Sequence, residues 1–297
     1  MVRKLYFEIK LISAMKKNLQ KIKRKTLLYK SGVEYADYGL NHVEGCSHGC
    51  RYPCYAMMLK KRTGQVKTYA KWKDPRIVEN ALELLENEIP RLKDKINQVF
   101  MCFATDPFMY RQKEVVDLSL KIIERLNKDN IKVVTISKGI YPRMLDNIEK
   151  YGSNNEYGST IVSLSENFRK KVEPGAAPIK ERIKALKNLH DKGLRTWVSI
   201  EPYPTPNIIN QDIEDILQKV SFVDEMVFGK WNYNKIVGLF NQYKSFYNEA
   251  AVKVVDFCKK RNIKYHIKDG TIDKRQLEED YCFYSVNFKK IVDTSAF

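Results

Sequence analysis

Gly45-Cys46-Ser47-His48-Gly49-Cys50-Arg51-Tyr52-Pro53-Cys54-Tyr55 puts three thiols within nine residues of one loop, with Gly45 and Gly49 supplying backbone freedom to wrap a bound centre. Three thiolates on one short loop can reach three irons of a cubane cluster. The fourth iron is then left open to a small molecule. Zinc is the competing reading, with His42 or His48 as fourth ligand. Structural zinc usually divides its ligands between two knuckles, and no second cysteine pair follows here. The flanking Gly, Ser, His and Arg are poor core material, which argues against three buried structural thiols.

Outward from this loop the chain alternates short β-rich runs with stretches of helical period, the pattern of βα units around a parallel sheet. Strands are expected at 38–43, which runs into the cysteine loop, and at 98–103, 131–136, 159–164, 194–200 and 223–228. A last apolar strand is expected at 263–267. Asp74-Pro75 reads as the start of a helix with Ile77, Ala81, Leu84, Leu85 and Ile89 on one face. Further helices are expected with Val115, Leu118, Ile122, Ile123 and Leu126 inward, over 143–150, from Pro178 to Gly193, and over 248–261. Pro202, Pro204 and Pro206 should end the fifth strand at Glu201. The fold class is therefore α/β: a partial (β/α)6 TIM-like barrel of parallel strands. Residues 1–30 would form a basic extension, 31–270 the barrel, and 271–297 a tail packing on it.

In such barrels the chemistry sits where strands end, because the following loops open on one face. The strand ends carry Cys46 to Cys54, Thr105, Asp106, Ser137, Lys138, Ser165, Glu201 and Lys230. Cys102, Cys258 and Cys282 are scattered, and a reducing compartment would keep all six cysteines as thiols.

Among 297 residues, 43% are hydrophobic and 30% charged, and no apolar run reaches the length of about 18 residues that a membrane span needs. Without a secretory signal pattern, a cytoplasmic location is expected and no membrane partner. Residues 1–30 hold ten Lys and Arg against Glu8, so +9 of the +17 net charge lies there. Such an arm suits the phosphates of DNA or RNA, and equally a solvated extension. Tyr203, Trp231, Tyr233, Phe240 and Tyr243 are read as packing residues before a stacking platform.

The cysteine loop resembles that of radical S-adenosylmethionine proteins of the spore photoproduct lyase-like group. Similar segments are Phe103-Ala-Thr-Asp-Pro107, Thr135-Ile-Ser-Lys138, and Ser163 to Ser165 with Glu173-Pro-Gly175 and Arg182. The usual loop leaves two residues before the third cysteine, whereas Pro53 lengthens that gap to three, so the loop should bulge. The resemblance implies a [4Fe-4S] cluster on Cys46, Cys50 and Cys54, S-adenosylmethionine as cofactor, and an external electron donor such as a ferredoxin or flavodoxin. It gives Thr105 and Asp106 the cofactor's amino group. Residue chemistry then suits Lys138 or Ser137 to the carboxylate, and Ser163, Ser165 or Glu201 to the ribose hydroxyls. Tyr55, beside the third cysteine, joins the cofactor-binding set. Cys102 is the candidate hydrogen donor, one residue out of register with the cysteine that the group uses. The reaction implied is radical hydrogen abstraction of a lyase or repair type.

Overall fold

In the computed structural model, residues 19–32 and 36–273 are described. Seven parallel strands dominate: β3 (Tyr38–Leu40), β6 (Gln98–Met101), β7 (Lys132–Ser137), β8 (Glu156–Thr160), β9 (Arg195–Tyr203), β10 (Glu225–Lys230) and β11 (Lys264–Ile267). They pair in that order, and β2 (Leu28–Lys30) closes the β3 edge antiparallel. A second small sheet joins β1 (Gln20–Ile22), β5 (Arg76–Val78) and β4 (Val43–Glu44). Helices 81–92, 113–127, 179–191, 213–219 and 243–261, with the short helices 143–146 and 148–151 between β7 and β8, make the crossovers that parallel pairing requires. The architecture is the expected partial barrel, with β11 as a seventh parallel strand.

Side chains alternate along each strand between the helical layer and the lumen. At the amino ends the lumen holds a charge ladder. Lys132 Nζ lies 2.7 Å from Glu156, Arg195 Nε 3.1 Å from Glu156, and Arg195 Nη2 3.6 Å from Glu225. Burial, then the like charge of Glu156, raises the Glu225 carboxyl to about 7. Above the ladder Phe100, Val134, Trp197 and Val227 form an apolar floor. Gly158 admits it, since a Cβ there would lie 2.3 Å from the Trp197 ring. Above the floor the lumen opens toward the carboxyl ends.

Several boundaries differ from expectation. Asp74-Pro75 does not start a helix. Ile77 and Val78 are taken by β5, which pairs on both sides, and the helix begins at Ala81. The fourth strand lies earlier, at Glu156–Thr160, because Ser163 and Ser165 turn the chain into the next helix. The fifth runs through Pro202 to Tyr203, whose partner Lys230 sits beyond a register shift. The last part of the basic stretch is woven into the sheets as β1 and β2. Leu27 and Leu28 are buried there, and their N–H groups donate to the two carboxylate oxygens of buried Glu88 at 2.9 and 2.8 Å. The remainder of that stretch, 1–18, the tail from 274 and Cys282 lie outside the described residues.

Candidate cofactor site at the cysteine loop

The three cysteines follow β4 directly, and Cys54 opens the helix Tyr55–Arg62. Gly45 and Gly49 adopt φ of +79° and +56°, the backbone freedom their positions suggested. The loop is gripped from several sides. The Cys46 N–H donates to Trp72 O at 2.8 Å, the Arg51 N–H to Val172 O at 2.7 Å, and the Gly175 N–H to His48 O at 2.9 Å. Any Cβ at Gly175 would approach Ser47 O to 2.3 Å, so the contact needs glycine. The Tyr52 hydroxyl donates to Glu173 Oε1 at 3.0 Å, and Arg182 pairs with Oε2 of the same carboxylate at 2.6 Å. The Glu173-Pro-Gly175 segment and Arg182 thus clamp the loop. The extra residue, Pro53, accompanies a Tyr52 turned inward and buried.

Asp106 is the second anchor. Its Oδ1 accepts from Ser137 Oγ at 2.7 Å and the Phe108 N–H at 2.9 Å. Its Oδ2 accepts from the Lys138 N–H at 2.8 Å and lies 3.3 Å from His48 Nδ1. Tyr110 donates its N–H to His48 Nε2 at 2.9 Å, so the ring proton sits on Nδ1 and points to Asp106. Burial alone would raise this carboxyl. His48, the Lys138 amide and Ser137 outweigh it and hold Asp106 below the usual carboxylate range. With both oxygens doubly engaged, Asp106 ties the loop to the end of β7. A cofactor ammonium would have to displace one of those donors. Thr105 likewise spends its hydroxyl on Gly45 O.

A cavity of about 410 Å³ opens where these strands end, a size suited to a small-molecule ligand. Cys50, Cys54, Tyr55, Thr105, Asp106, Ser137, Lys138 and Glu201 all line it. Cys46, in the same loop, is buried and is not in the wall. Ser163, Ser165 and Cys102 are not in its wall. Ser163 Oγ accepts the Ser165 N–H, and Ser165 Oγ accepts the Phe168 N–H as a helix cap. Cys102, at the left-handed φ of 66°, packs toward the helical layer, its Sγ 3.2 Å from His42 Nδ1. Sequence reasoning missed Thr160, Ser199 and Lys268 in the same wall. Lys268 could have been found by applying the strand-end rule to the last strand.

Burial favours the neutral form of these thiols. Burial, then Asp106 and the other two cysteines, pushes the Cys46 thiol well up; burial chiefly pushes Cys50 up to about 12. Thiolates, the form that binds metal, therefore persist here only against a compensating cation. A cubane takes one thiolate at each of three irons, and three are present. The histidines do not complete a zinc set. His48 is engaged at both nitrogens, and His42 lies between Cys102 and Ser119, whose Oγ is 2.8 Å from Nε2. Burial drops His42 to about 3, so it is neutral. Among the described residues no three His, Cys, Asp or Glu side chains are gathered as one ion would need.

Residues 40–220 match the Radical SAM superfamily. An uncharacterized protein of Methanocaldococcus jannaschii is 29% identical over 198 residues, covering 66% of this chain and 71% of that protein. An uncharacterized protein of Acidianus two-tailed virus is 26% identical over 203 residues, 64% of each. Among solved structures, a spore photoproduct lyase double mutant with bound AdoMet and dinucleoside spore photoproduct superposes with a TM-score of 0.55 at 15% identity. That match covers 75% of this chain and 66% of the lyase chain. A single mutant of the lyase gives 0.57 at 12% identity over 83% and 80%. The chain thus spans about two thirds of the lyase chain with the bound ligands. The family match covers most of the barrel and contains the cysteine loop, and on that ground this chain belongs to the Radical SAM superfamily.

Proposed function

We infer that the protein binds a [4Fe-4S] cluster through Cys46, Cys50 and Cys54 and uses it to cleave S-adenosylmethionine reductively. When bound, such a cluster supplies one electron to the sulfonium, whose carbon–sulfur bond breaks to give methionine and a 5′-deoxyadenosyl radical that takes hydrogen from substrate. The observation that carries this reading is the convergence of Cys50, Cys54 and the ends of six parallel strands on one cavity, with Cys46 buried in the same loop.

The chain's own residues supply placement. The Glu173–Arg182 pair and Asp106 fix the loop, so the thiols are held before a cluster arrives. The Lys138 side chain reaches over the Tyr52 ring, 5.6 Å from its centroid, beside Cys50, and suits the cofactor carboxylate. Glu201, at the top of β9, suits the ribose hydroxyls. Tyr55, 52% exposed and edge-on to Phe103 at 5.8 Å, stands at the mouth. The apolar floor closes the lumen below and keeps water from a reactive intermediate.

The substrate favoured is nucleic acid, attacked in a lyase-like or repair-like reaction. Lys230, Lys268 and the exposed Tyr233 line the mouth, a combination that suits phosphate and a base face. The net charge of +17 acts in the same direction. Cys102 as hydrogen donor would require a path from the helical layer. Reducing equivalents would come from a ferredoxin or flavodoxin. The decisive experiment is anaerobic incubation of cluster-loaded protein with dithionite and S-adenosylmethionine. 5′-Deoxyadenosine is expected, and its absence at full iron and sulfide content would overturn the reading.

A further inference from the structure

The cysteine loop has two sides. Cys50 and Tyr52 to Ala56 line the cavity, whereas Cys46 to Gly49 and Arg51 do not. That other side is held by three segments distant in sequence. Trp72 O accepts the Cys46 N–H at 2.8 Å, and the Tyr69 hydroxyl donates to Gly49 O. The Tyr110 N–H donates to His48 Nε2 at 2.9 Å, and Val172 O accepts the Arg51 N–H at 2.7 Å. Lys73 lies against the loop backbone, since a Cβ on Gly49 would come within 2.8 Å of its Cδ.

The loop and each of these segments carry cations. Residues 46–51, 69–73, 109–113 and 169–172 hold eight Lys and Arg and no Asp or Glu, in a chain whose Lys and Arg outnumber its acids only 53 to 36. Arg51, Lys71, Lys73, Arg111, Lys170 and Lys171 are exposed, line no part of the cavity, and join no ion pair within 4 Å among the described residues. The carboxylates next along the chain are occupied or withdrawn. Glu166 pairs with Arg169, Asp117 with Lys113 and Glu173 with Arg182, and Glu114 accepts the Leu19 N–H. Asp74 is half-buried. Exposed cations around one loop, without acids to answer them, make a positive surface that steers a negative partner.

A substrate that reacts in the cavity has no need of this side. An electron bound for a centre on the thiols does, because electron transfer weakens steeply with distance and its donor must sit against the loop itself. Redox proteins meet through small, short-lived contacts steered by charge. We propose that the cationic surface around Arg51, Lys73 and Lys171 is the docking site for an acidic one-electron carrier protein of the flavodoxin or ferredoxin type. The assignment rests on the cluster reading above. One electron leaves the carrier and one enters the cluster, and no bond of this chain forms or breaks.

The test reverses charge at three exposed positions outside the loop and the cavity wall, in the triple variant Lys71→Glu, Lys170→Glu, Lys171→Glu. Titrated into ¹⁵N-labelled oxidised flavodoxin, the cluster-loaded parent should bind, and should bind less tightly as NaCl rises from about 20 to about 300 mM. The variant should bind roughly tenfold more weakly. Flavodoxin hydroquinone should bleach the variant's cluster absorbance correspondingly more slowly, while dithionite, a small reductant, drives 5′-deoxyadenosine formation equally in both. Iron content and near-ultraviolet circular dichroism report whether the variant folds; if it does not, Lys71→Glu and Lys170→Glu singly carry the same test with a roughly threefold effect. Equal flavodoxin affinity and equal bleaching in parent and folded variant overturn the proposal. It falls equally if the variant loses affinity for a single-stranded oligonucleotide and keeps that for flavodoxin, since the surface is then a nucleic-acid contact. Failure of the fully loaded parent to form 5′-deoxyadenosine with dithionite overturns the cofactor reading, and the flavodoxin titration still decides this surface.

Discussion

The two ends of the barrel lumen are built from the same strands and similar polar side chains, yet they behave oppositely. At the amino ends Lys132, Glu156, Arg195 and Glu225 neutralise one another across neighbouring strands. At the carboxyl ends the polar groups are divided. Asp106, Thr105 and Glu173 are consumed in holding the cysteine loop, while Lys138 lines the cavity with its ammonium over the Tyr52 ring and makes no such ion pair among the described residues. Self-pairing makes a plug, and withheld pairing makes a binding site. Residue type alone does not separate the two; strand position does.

The contrast is broken most completely at the cysteines. Replacing Cys46, Cys50 or Cys54 with Ala should reduce iron and sulfide after anaerobic reconstitution to near background, and full content in any one variant removes that residue from the ligand set. Next comes the anchor. Asp106→Asn trades a fully used carboxylate for an amide whose NH2 faces donors, and about 3 kcal/mol of stability should be lost with much of the cluster content, read by denaturant unfolding and iron assay. Because the folded carboxyl titrates below its ordinary 3.8, its contribution is complete above that pH and drains away below it. The variant should lack that acid-side loss. An unchanged acid limb would show that Asp106 does not hold the loop.

The plug gives a smaller effect of opposite sign. Glu225 is raised from 4.5 to about 7, so the folded state holds the proton more tightly and stability falls as pH rises through that window. Glu225→Gln should flatten this slope and add about 1 kcal/mol at pH 8, allowing for the lost attraction to Arg195. Thermal melts at pH 5 and 8 with equal shifts in parent and variant would refute it. Smallest is Ser165→Ala. It should cost about 1 kcal/mol through the lost helix cap and leave S-adenosylmethionine affinity within about twofold; a large loss of affinity would return Ser165 to the cofactor site.

The parallel strands were legible because they are buried on both faces and read as β-branched runs, as at Ile131 to Val134. The cysteine loop was legible because three thiols in nine residues have few structural uses. β1 and β5 were not, since three-residue strands carry too little pattern, and Pro75 beside Ile77 imitates a helix start. Ser163 and Ser165 misled for a different reason: a hydroxyl at a strand end serves a ligand or a turn with equal ease, and only its hydrogen bonds tell which. Asp106 was read as a partner of the cofactor's amino group from its place at a strand end. What one sequence could not show was that His48, Ser137 and the Lys138 amide already surround it. Trp231 was read as packing before stacking, and it does pack on Tyr52 and Phe168, while also lining the cavity.

The cysteines also differ in how far reagents can reach them. Cys102 and Cys258 are sealed at 0% exposure, Cys46 and Cys50 nearly so, and Cys54 alone among the described thiols is partly open. An alkylating agent in solution therefore meets Cys54 first whenever the loop stands empty of metal. Alkylation should mark Cys54 in the fraction of a preparation that lacks iron, making it an internal gauge of metal loss.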